Sequence, residues 1–388
     1  MKVTFISTYP PTKCGVGEHA RHLVKSLEKT GIKPEVIAIK NPDSINPFYF
    51  LKLAKKASKK DSEEDIIHLQ FHISIFGRLF GVLPGFFMPL MLIYFRLFSK
   101  SKILITLHDV PKKSDSEKVG RKGKILFYYY KLIYFFLRNF TDMLITHSEY
   151  GRKIILDEWK IKEKKVISLP LGLPTNIKKL NQIACKKKLG YPGKKILLLL
   201  GFIRRSQNHE MVLKTLKELD EKVILLIAGK VQLKKDQAAY ENLLKKIEEL
   251  QLKDRIKLFG FVKDEDLPLV LNATDIGITL HVQGGGDFLS STMAMQLAYQ
   301  IPTLSTNIPS FENLKKNKKC IETFKEDDSV DLTKKIKSLL NNPSKIKYLK
   351  EHSKNYWNEN NWNEIGKRTK NLYLSLFKKN SINNDKKV

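Results

Sequence analysis

The chain has 388 residues, of which 70 are Lys or Arg and 40 are Asp or Glu, so its formal net charge is +30. This length predicts two or three domains, and an apolar content of 42% excludes an intrinsically disordered protein. Three cysteines, Cys14, Cys185 and Cys320, are too few for a disulfide framework and lack the Cys-x-x-Cys spacing of a zinc site. With no signal-peptide pattern at the first residues, we expect a cytoplasmic protein.

The positive charge has two interpretations. One is a solvated, Lys-rich surface; the other is attraction to a polyanion, either anionic lipid or nucleic acid. The sequence contains no recognisable nucleic-acid-binding module and no aromatic and basic stacking platform on its strands. We therefore expect no nucleic-acid partner.

The first half of the chain alternates short apolar runs with amphipathic segments. Buried strands are predicted at residues 3–7, 35–39, 66–69, 103–107 and 143–146. A helix is predicted at residues 19–30, ending before Gly31. This alternation is typical of βαβ units around a parallel sheet.

The pattern restarts in the second half, after a turn-rich segment at residues 170–174. A strand at residues 165–169 leads into this segment. Beyond it, strands are predicted at residues 196–202, 223–228, 256–259, 276–280 and 302–305, and helices at 210–219, 237–250 and 291–299. We therefore expect two α/β halves. The polar residues 379–388 are expected to form a disordered tail.

Two apolar segments raise the question of a membrane. Residues 79–95 carry no charge over 17 residues, the lower limit of a spanning helix, but Pro84 and Pro89 interrupt them. Residues 125–140 combine aromatic side chains with Lys131 and Arg138. The segments fit either two buried helices of the first domain or helices that lie on an anionic membrane surface.

Polar and glycine residues follow several predicted strands, where ligands bind in open α/β sheets. Gly15 and Gly17 precede a helix whose amino end can bind phosphate, but Ala20 breaks the Gly-x-Gly-x-x-Gly fingerprint and argues against a nicotinamide cofactor. His68 ends one strand, and His108 with Asp109 ends another. We regard His147 as structural.

The second half has two further candidate anion sites. Arg204 and Arg205 follow a strand, where they suit bidentate binding of a diphosphate. Three glycines at 284–286 lead to Asp287 and to a helix start with three hydroxyl side chains, Ser290, Ser291 and Thr292. Such a nest of amides binds anions, and Asp287 can accept hydrogen bonds from sugar hydroxyls.

Taken in order, these features resemble retaining nucleotide-sugar glycosyltransferases of family 4 (the group 1 glycosyltransferases), which have the GT-B fold. The resemblance covers about residues 1–378. Its matching segments are residues 10–19, 68–71, 75–77, 106–109, 146–148, 166–172, 201–204, 227–229, 260–262, 297–302 and 362–369.

The resemblance implies two Rossmann-like, doubly wound domains that face each other across a cleft. It implies an acceptor domain at 1–175, a donor domain at 176–358, and a helix at 359–378 that crosses back to the first domain. The implied catalytic residues are His108 and Asp287. The implied donor-binding residues are Gly15, Gly17, Arg204, Arg205, Gln207, Phe261, Val262, Ser290, Ser291, Thr292 and Met295, and the acceptor-side residues are His19, His68, Asp109 and Ser148.

The implied reaction moves a sugar from a nucleotide-diphosphate donor to a hydroxyl of a glycan or lipid-linked glycan, as in polysaccharide biosynthesis. We expect no cofactor and no metal, because arginines and helix dipoles can neutralise the diphosphate. A peripheral position on the cytoplasmic face of a membrane would suit such an acceptor.

Two positions depart from the family pattern. Met295 stands where the family usually has the glutamate that binds the donor ribose, and Gln207 stands where it usually has a lysine for the phosphates. An alternative is therefore a catalytically impaired GT-B subunit that acts as a binding or scaffold partner.

Overall fold

The computed structural model describes residues 1–384 except Lys13, Val82, residues 115–119, Gln232 and residues 282–289. The chain divides into two compact units. Unit 1 contains Met1–Gly172 and the segment that begins at Trp362, and unit 2 contains the described residues between them. The boundaries therefore lie at 172/173 and 361/362.

Unit 1 is built on a six-stranded sheet. The strands of this sheet are β1 (Val3–Ser7), β2 (Glu35–Ala38), β3 (Ile66–Phe71), β6 (Lys102–Leu107), β7 (Met143–Thr146) and β8 (Val166–Ser168). Two further strands, β4 (Arg78–Leu79) and β5 (Leu83–Pro84), form a separate hairpin. The sheet order is β2-β1-β3-β6-β7-β8, with every pair parallel. Before the last helix, the helices described in unit 1 are α1 (Gly15–Glu28), α2 (Pro47–Ala57), α3 (Phe87–Phe98), α4 (Gly120–Phe140) and α5 (Glu149–Asp157).

Both faces of this sheet are covered, because apolar side chains alternate between two clusters. In β1, Ile6 packs into one cluster and its neighbour Phe5 into the other, and both are fully buried. Successive strand residues point to opposite faces, so a sheet with helices on both sides needs apolar residues at nearly every position. This explains the continuous apolar runs of the sequence.

Unit 2 repeats the architecture. Its strands are β9 (Lys195–Leu200), β10 (Val223–Ala228), β11 (Ile256–Leu258), β12 (Ile276–Thr279), β13 (Thr303–Thr306) and β14 (Ile321–Phe324), in the parallel order β11-β10-β9-β12-β13-β14. Its described helices are α6 (Gln182–Lys188), α7 (His209–Lys217), α8 (Gln237–Glu249), α9 (Leu267–Ala273), α10 (Ser291–Ala298), α11 (Glu312–Lys316), α12 (Ser329–Leu340) and α13 (Pro343–Asn360). The sequence pattern did not predict β14.

The last helix, α14 (Trp362–Asn384), belongs to unit 1. Gly366 allows it to lie close to α1, since a Cβ atom at this position would be 2.7 Å from the Ser26 carbonyl oxygen. Lys370 Nζ also donates a hydrogen bond to the carbonyl of Thr30 at 2.7 Å. The two doubly wound sheets and this returning helix confirm the predicted fold class. The backbone of α14 continues to Asn384, within the predicted tail at 379–388.

The two apolar segments of unit 1 take different structures. Residues 79–95 are not one helix: the β4–β5 hairpin precedes α3, whose Met88, Met91 and Leu92 are buried. Helix α4 buries one face through Ile133, Tyr134 and Leu137. Within the part of the chain that the structure describes, no helix is both long and apolar enough to cross a membrane.

Candidate functional site

The strand order of each sheet reverses at one point, and such switch points form ligand-binding crevices at the carboxyl ends of the strands. In unit 1 the reversal lies between β1 and β3; in unit 2 it lies between β9 and β12. Among the predicted donor residues of unit 2, Arg204, Arg205 and Gln207 follow β9, one of the two strands at the switch point, whereas Phe261 and Val262 follow the edge strand β11. In unit 1, Gly15, Gly17 and His19 lie in α1, which follows β1, His68 lies within β3, and His108 follows β6.

Two glycines allow close packing at the carboxyl ends of β9 and β10 in unit 2. Gly201, just after β9, has φ +125°, and a Cβ there would lie 2.9 Å from the Cγ2 atom of Thr292. Gly229, just after β10, would place a Cβ only 1.7 Å from the Gly201 carbonyl oxygen. The ends of two strands and the start of α10 are thus brought together by residues without side chains.

Residues 204–207, the arginine segment, follow Gly201 in the chain. The side chains of Arg204 and Arg205 are exposed. The backbone of the segment is fixed, because the Arg205 N–H donates to Oδ1 of buried Asp236 at 3.1 Å. Gln207 Nε2 donates to the carbonyl of Leu280 at 3.2 Å, which ties the segment to the end of β12. The two guanidinium groups are therefore presented to solvent from an anchored turn.

A cavity of about 570 Å³ opens beside this segment. Its lining mixes polar and apolar residues from the ends of β9, β12, β13 and β14 and from α7 and α8; the polar ones include Arg205, Gln207, Lys246, His281, Glu326 and Asp327. Burial, helped by the nearby charge of Arg204, lowers the pKa of His281 to about 4. The imidazole is therefore neutral at pH 7 and adds no charge to the cavity.

Helix α10 starts with the predicted hydroxyl residues. Ser290 is its N-cap and accepts a hydrogen bond from the Met293 N–H at 3.2 Å. Thr292 Oγ1 lies 3.0 Å from Ser290 Oγ, and Ser291 is exposed. The predicted catalytic Asp287 and the glycines at 284–286 lie outside the described residues.

Three further predicted donor residues differ in exposure. Met295 is half-buried and packs against an apolar cluster of unit 2, so part of its side chain serves the core. Val262 packs against the same cluster. Phe261 is 63% exposed, with Lys230 Nζ 5.0 Å from its ring centroid. Phe261 therefore offers an accessible aromatic face.

In unit 1, α1 starts directly beside the end of β1. A Cβ at Gly17 would lie 3.1 Å from the Thr8 backbone, whereas a Cβ at Gly15 would meet no atom within 4 Å. Gly17 thus allows helix and strand to approach, and Gly15 leaves open space at the amino end of the helix. That end has the free N–H groups that bind phosphate.

A buried hydrogen-bond network runs through the middle of unit 1. His68 Nδ1 lies 2.7 Å from Tyr373 Oη, and His68 Nε2 lies 2.7 Å from Thr106 Oγ1. Gln70 links His68 to His108, and the Nε2 atom of His108 lies 2.8 Å from Gln70 Oε1. Burial lowers the pKa of His68 to about 3. His68 is fully buried, and these contacts fix the position of its neighbours, while its acceptor-side role stays a prediction.

The structure assembles a histidine cluster that the sequence did not predict. The His19, His108 and His147 rings lie with centroids 4.7–4.9 Å apart, and all three are buried. The Trp362 ring packs against His19 at 5.2 Å. Burial, reinforced by the neighbouring imidazoles, holds the pKa of His19 and His108 well below the usual value, and burial lowers the pKa of His147 to about 4. The cluster is therefore uncharged at pH 7.

The remaining acceptor-side candidates lie at its rim. Ser148 Oγ accepts a hydrogen bond from the Gly151 N–H at 2.9 Å and so caps α5. Ser148, Asp109 and His108 line one small pocket, together with His147. The sequence analysis did not identify Tyr373 as a member of this region, because it follows the pattern of an ordinary buried residue of a helix.

Comparison with known proteins gives a consistent result. Residues 182–356, less than half of the chain, match the family described as Glycosyl transferases group 1. Mannosylfructose-phosphate synthase of Agrobacterium fabrum is 22% identical over 43% of this chain and 38% of its own length. Chitobiosyldiphosphodolichol beta-mannosyltransferase of Debaryomyces hansenii is 24% identical over 72% of this chain and 66% of its own length. The chain thus spans less than two thirds of either relative.

Among solved structures, the Anabaena protein Alr3699/HepE in complex with UDP is similar over 97% of this chain and 100% of that chain, with a TM-score of 0.73 and 14% identity. At this identity the likeness shows the fold alone. The fold is that of GT-B glycosyltransferases.

Proposed function

Because residues 182–356 form a glycosyl transferases group 1 domain, we propose that this chain is a nucleotide-sugar-dependent glycosyltransferase. It transfers a sugar from a nucleotide-diphosphate donor to a hydroxyl group of a glycan or lipid-linked glycan, with retention of anomeric configuration. The binding of UDP by the structural neighbour supports a donor of this class.

The observation that carries this proposal is the anchored arginine turn of unit 2. Transfer breaks the bond between the sugar anomeric carbon and the diphosphate, so negative charge develops on the departing oxygen. Preorganised cations and helix amides at that position stabilise the transition state. Arg204, Arg205 and the amino end of α10 provide both, and Asp287 is assigned to the sugar hydroxyls.

Unit 1 supplies the other part of the reaction. His108 is neutral, and because its Nε2–H donates to Gln70, its Nδ1 carries the lone pair. A neutral imidazole in this tautomer can accept a hydrogen bond from a hydroxyl of the transferred sugar. Asp109 and Ser148, which share its pocket, are assigned to the acceptor.

The activity is tested by incubating the purified protein with UDP-, GDP-, ADP- and TDP-sugars and measuring release of nucleoside diphosphate, with and without simple sugar acceptors. We expect one donor class to be consumed and the rate to rise with acceptor. Consumption of none of them, while a nucleoside diphosphate still binds, would instead identify an impaired binding subunit.

Met295 and Gln207 are the departures that motivate that second function. We expect Met295→Glu to tighten nucleoside diphosphate binding about tenfold or more, because a charged hydrogen bond to ribose is worth roughly 1.5–3 kcal/mol. Met295 is only partly buried, so we expect the new carboxylate to reach solvent and the variant to fold. Calorimetric titration measures the change.

Met295→Leu is the matched control, since it keeps the apolar volume and should leave affinity unchanged. If Met295→Glu binds no more tightly than Met295→Leu although both melt like the parent protein, Met295 does not face the ribose.

We also propose that unit 1 associates with anionic lipid through α4. This helix has no acidic residue, and its solvent face carries Ile125, Tyr128, Leu132 and Phe135, each at least 45% exposed. Lys124, Lys131 and Arg138 are exposed on the same helix at seven-residue intervals. Apolar side chains beside cations are typical of helices that bind anionic membrane surfaces.

Sedimentation with liposomes tests this association. We expect the protein to pellet with vesicles containing phosphatidylglycerol, to be released by salt, and to remain soluble with phosphatidylcholine alone. The double variant Ile125→Ser/Phe135→Ser should lose binding. Val330→Ser, which changes an equally exposed apolar residue of unit 2, should not. If both variants pellet equally well, α4 does not form the membrane contact.

A further inference from the structure

Three imidazoles from separate parts of unit 1 converge on one point. His19 comes from α1, His108 follows β6, and His147 follows β7. One ring nitrogen of each can be chosen so that all three lie within 4.8 Å of one another. We propose that these residues form a binding site for a transition-metal ion of the Zn²⁺ type.

Hydrogen bonds to the outer ring nitrogens orient two of the ligands. The Nδ1 atom of His147 lies 3.1 Å from the carbonyl oxygen of Leu169, which accepts only from a protonated nitrogen, so the lone pair lies on Nε2. His108 Nε2 lies 2.8 Å from Gln70 Oε1, so its lone pair lies on Nδ1. Metal-binding histidines typically have their other N–H bound to a carbonyl or carboxylate in this way.

The third ligand has an unsatisfied atom. His19 is 7% exposed, and its Nδ1 has no hydrogen-bond partner among the described residues. A buried polar atom without a partner is costly, and nearly all such atoms in folded proteins are bonded. Coordination of a metal ion would satisfy this nitrogen.

The chemistry of the three imidazoles indicates which metal ions they would bind. Neutral imidazole is a good ligand for Zn²⁺, Cu²⁺ and Ni²⁺, whereas Mg²⁺ and Ca²⁺ require oxygen ligands, and the converging described residues are imidazoles only. Zn–N bonds of about 2.0–2.1 Å place ligand nitrogens roughly 3.3 Å apart, so the rings must rotate inward on binding. Three protein ligands leave a fourth position for water or another small ligand.

One consequence rests on the proposed function. Since we assign His108 Nδ1 to a hydroxyl of the transferred sugar, a metal ion bound to the same nitrogen competes with that contact. Zn²⁺ at one equivalent should therefore inhibit sugar transfer.

Metal titration tests the site directly. The full-length protein is stripped with a chelator and titrated with Zn²⁺ against a chromophoric competitor. We expect one tight equivalent, at least tenfold weaker in His147→Ala and unchanged in His352→Ala, which removes a histidine of unit 2. Mg²⁺ should not compete. Equal Zn²⁺ affinity of His147→Ala and the parent protein would overturn the site.

A second measurement needs no variant. Co²⁺ added to the stripped parent protein should give the intense visible d–d bands of a tetrahedral nitrogen site, and Zn²⁺ should abolish them. Absence of these bands, or a thiolate charge-transfer band from Cys14, would overturn the assignment. If Zn²⁺ binds but does not slow sugar transfer, the prediction of inhibition is wrong, but the proposal of a metal site is still supported. If the protein has no transferase activity, both metal measurements remain valid, because neither depends on that activity.

Discussion

Arg204→Ala is expected to lower kcat/KM by about 30- to 4,000-fold, which corresponds to roughly 2–5 kcal/mol of transition-state stabilisation lost with a desolvated charge partner. The side chain is exposed and projects from an anchored turn, so its loss leaves the backbone hydrogen bonds of that turn intact. Steady-state kinetics with the donor identified in the panel measures the effect.

Lys217→Ala is the matched control. It removes an exposed positive charge from the same unit, but from the far end of α7, so its kinetics should equal those of the parent protein. Full activity and unchanged donor affinity in Arg204→Ala would show that Arg204 does not bind the diphosphate. A lowered melting temperature would instead indicate a structural role.

Gly229→Ala is expected to destabilise unit 2 by about 3 kcal/mol or more, because overpacking against an immobile neighbour is costly. The added Cβ would lie 1.7 Å from the Gly201 carbonyl oxygen, which is backbone and has no rotamer to change. Since Gly201 also packs against Thr292, the shift should reach the start of α10 and weaken donor binding. Scanning calorimetry and nucleotide titration measure the two effects.

Gly15→Ala is the control for stability. No atom lies within 4 Å of its added Cβ, and alanine is the better helix former, so stability should be unchanged or slightly raised. If Gly229→Ala melts at the same temperature as Gly15→Ala, the close packing of the two strand ends does not exist in solution.

Much of the fold could be predicted because it depends on local pattern. The apolar runs at 3–7, 143–146 and 223–228 coincide with β1, β7 and β10 to the residue. Buried parallel strands are continuously apolar, and their ends are marked by glycine, proline or polar residues. Strand β14 was missed, since only its first and last residues are apolar, which gives a weak signal over four positions.

The sequence alone located some candidate residues after strand ends, and their roles in the site stay predictions. Arg204 follows β9 and His108 follows β6, at the carboxyl edge of a parallel sheet. The same reasoning did not predict how deeply His68 is buried. It sits within β3, and only the position of α14, which brings Tyr373 against it, decides that its ring is sealed in the interior.

By itself, the sequence determined the two parallel sheets, the strand-end arginines and the glycine-bearing turns, because each of these depends on neighbours only a few residues away. The tertiary structure alone decided which distant residues meet. His19, His108 and His147 are separated by 89 and 39 positions, and no periodicity connects them. They converge because the sheet pairs β6 with β7 and places β1, which precedes α1, two strands from β6. Strand order is a long-range property that hydrophobic pattern does not encode.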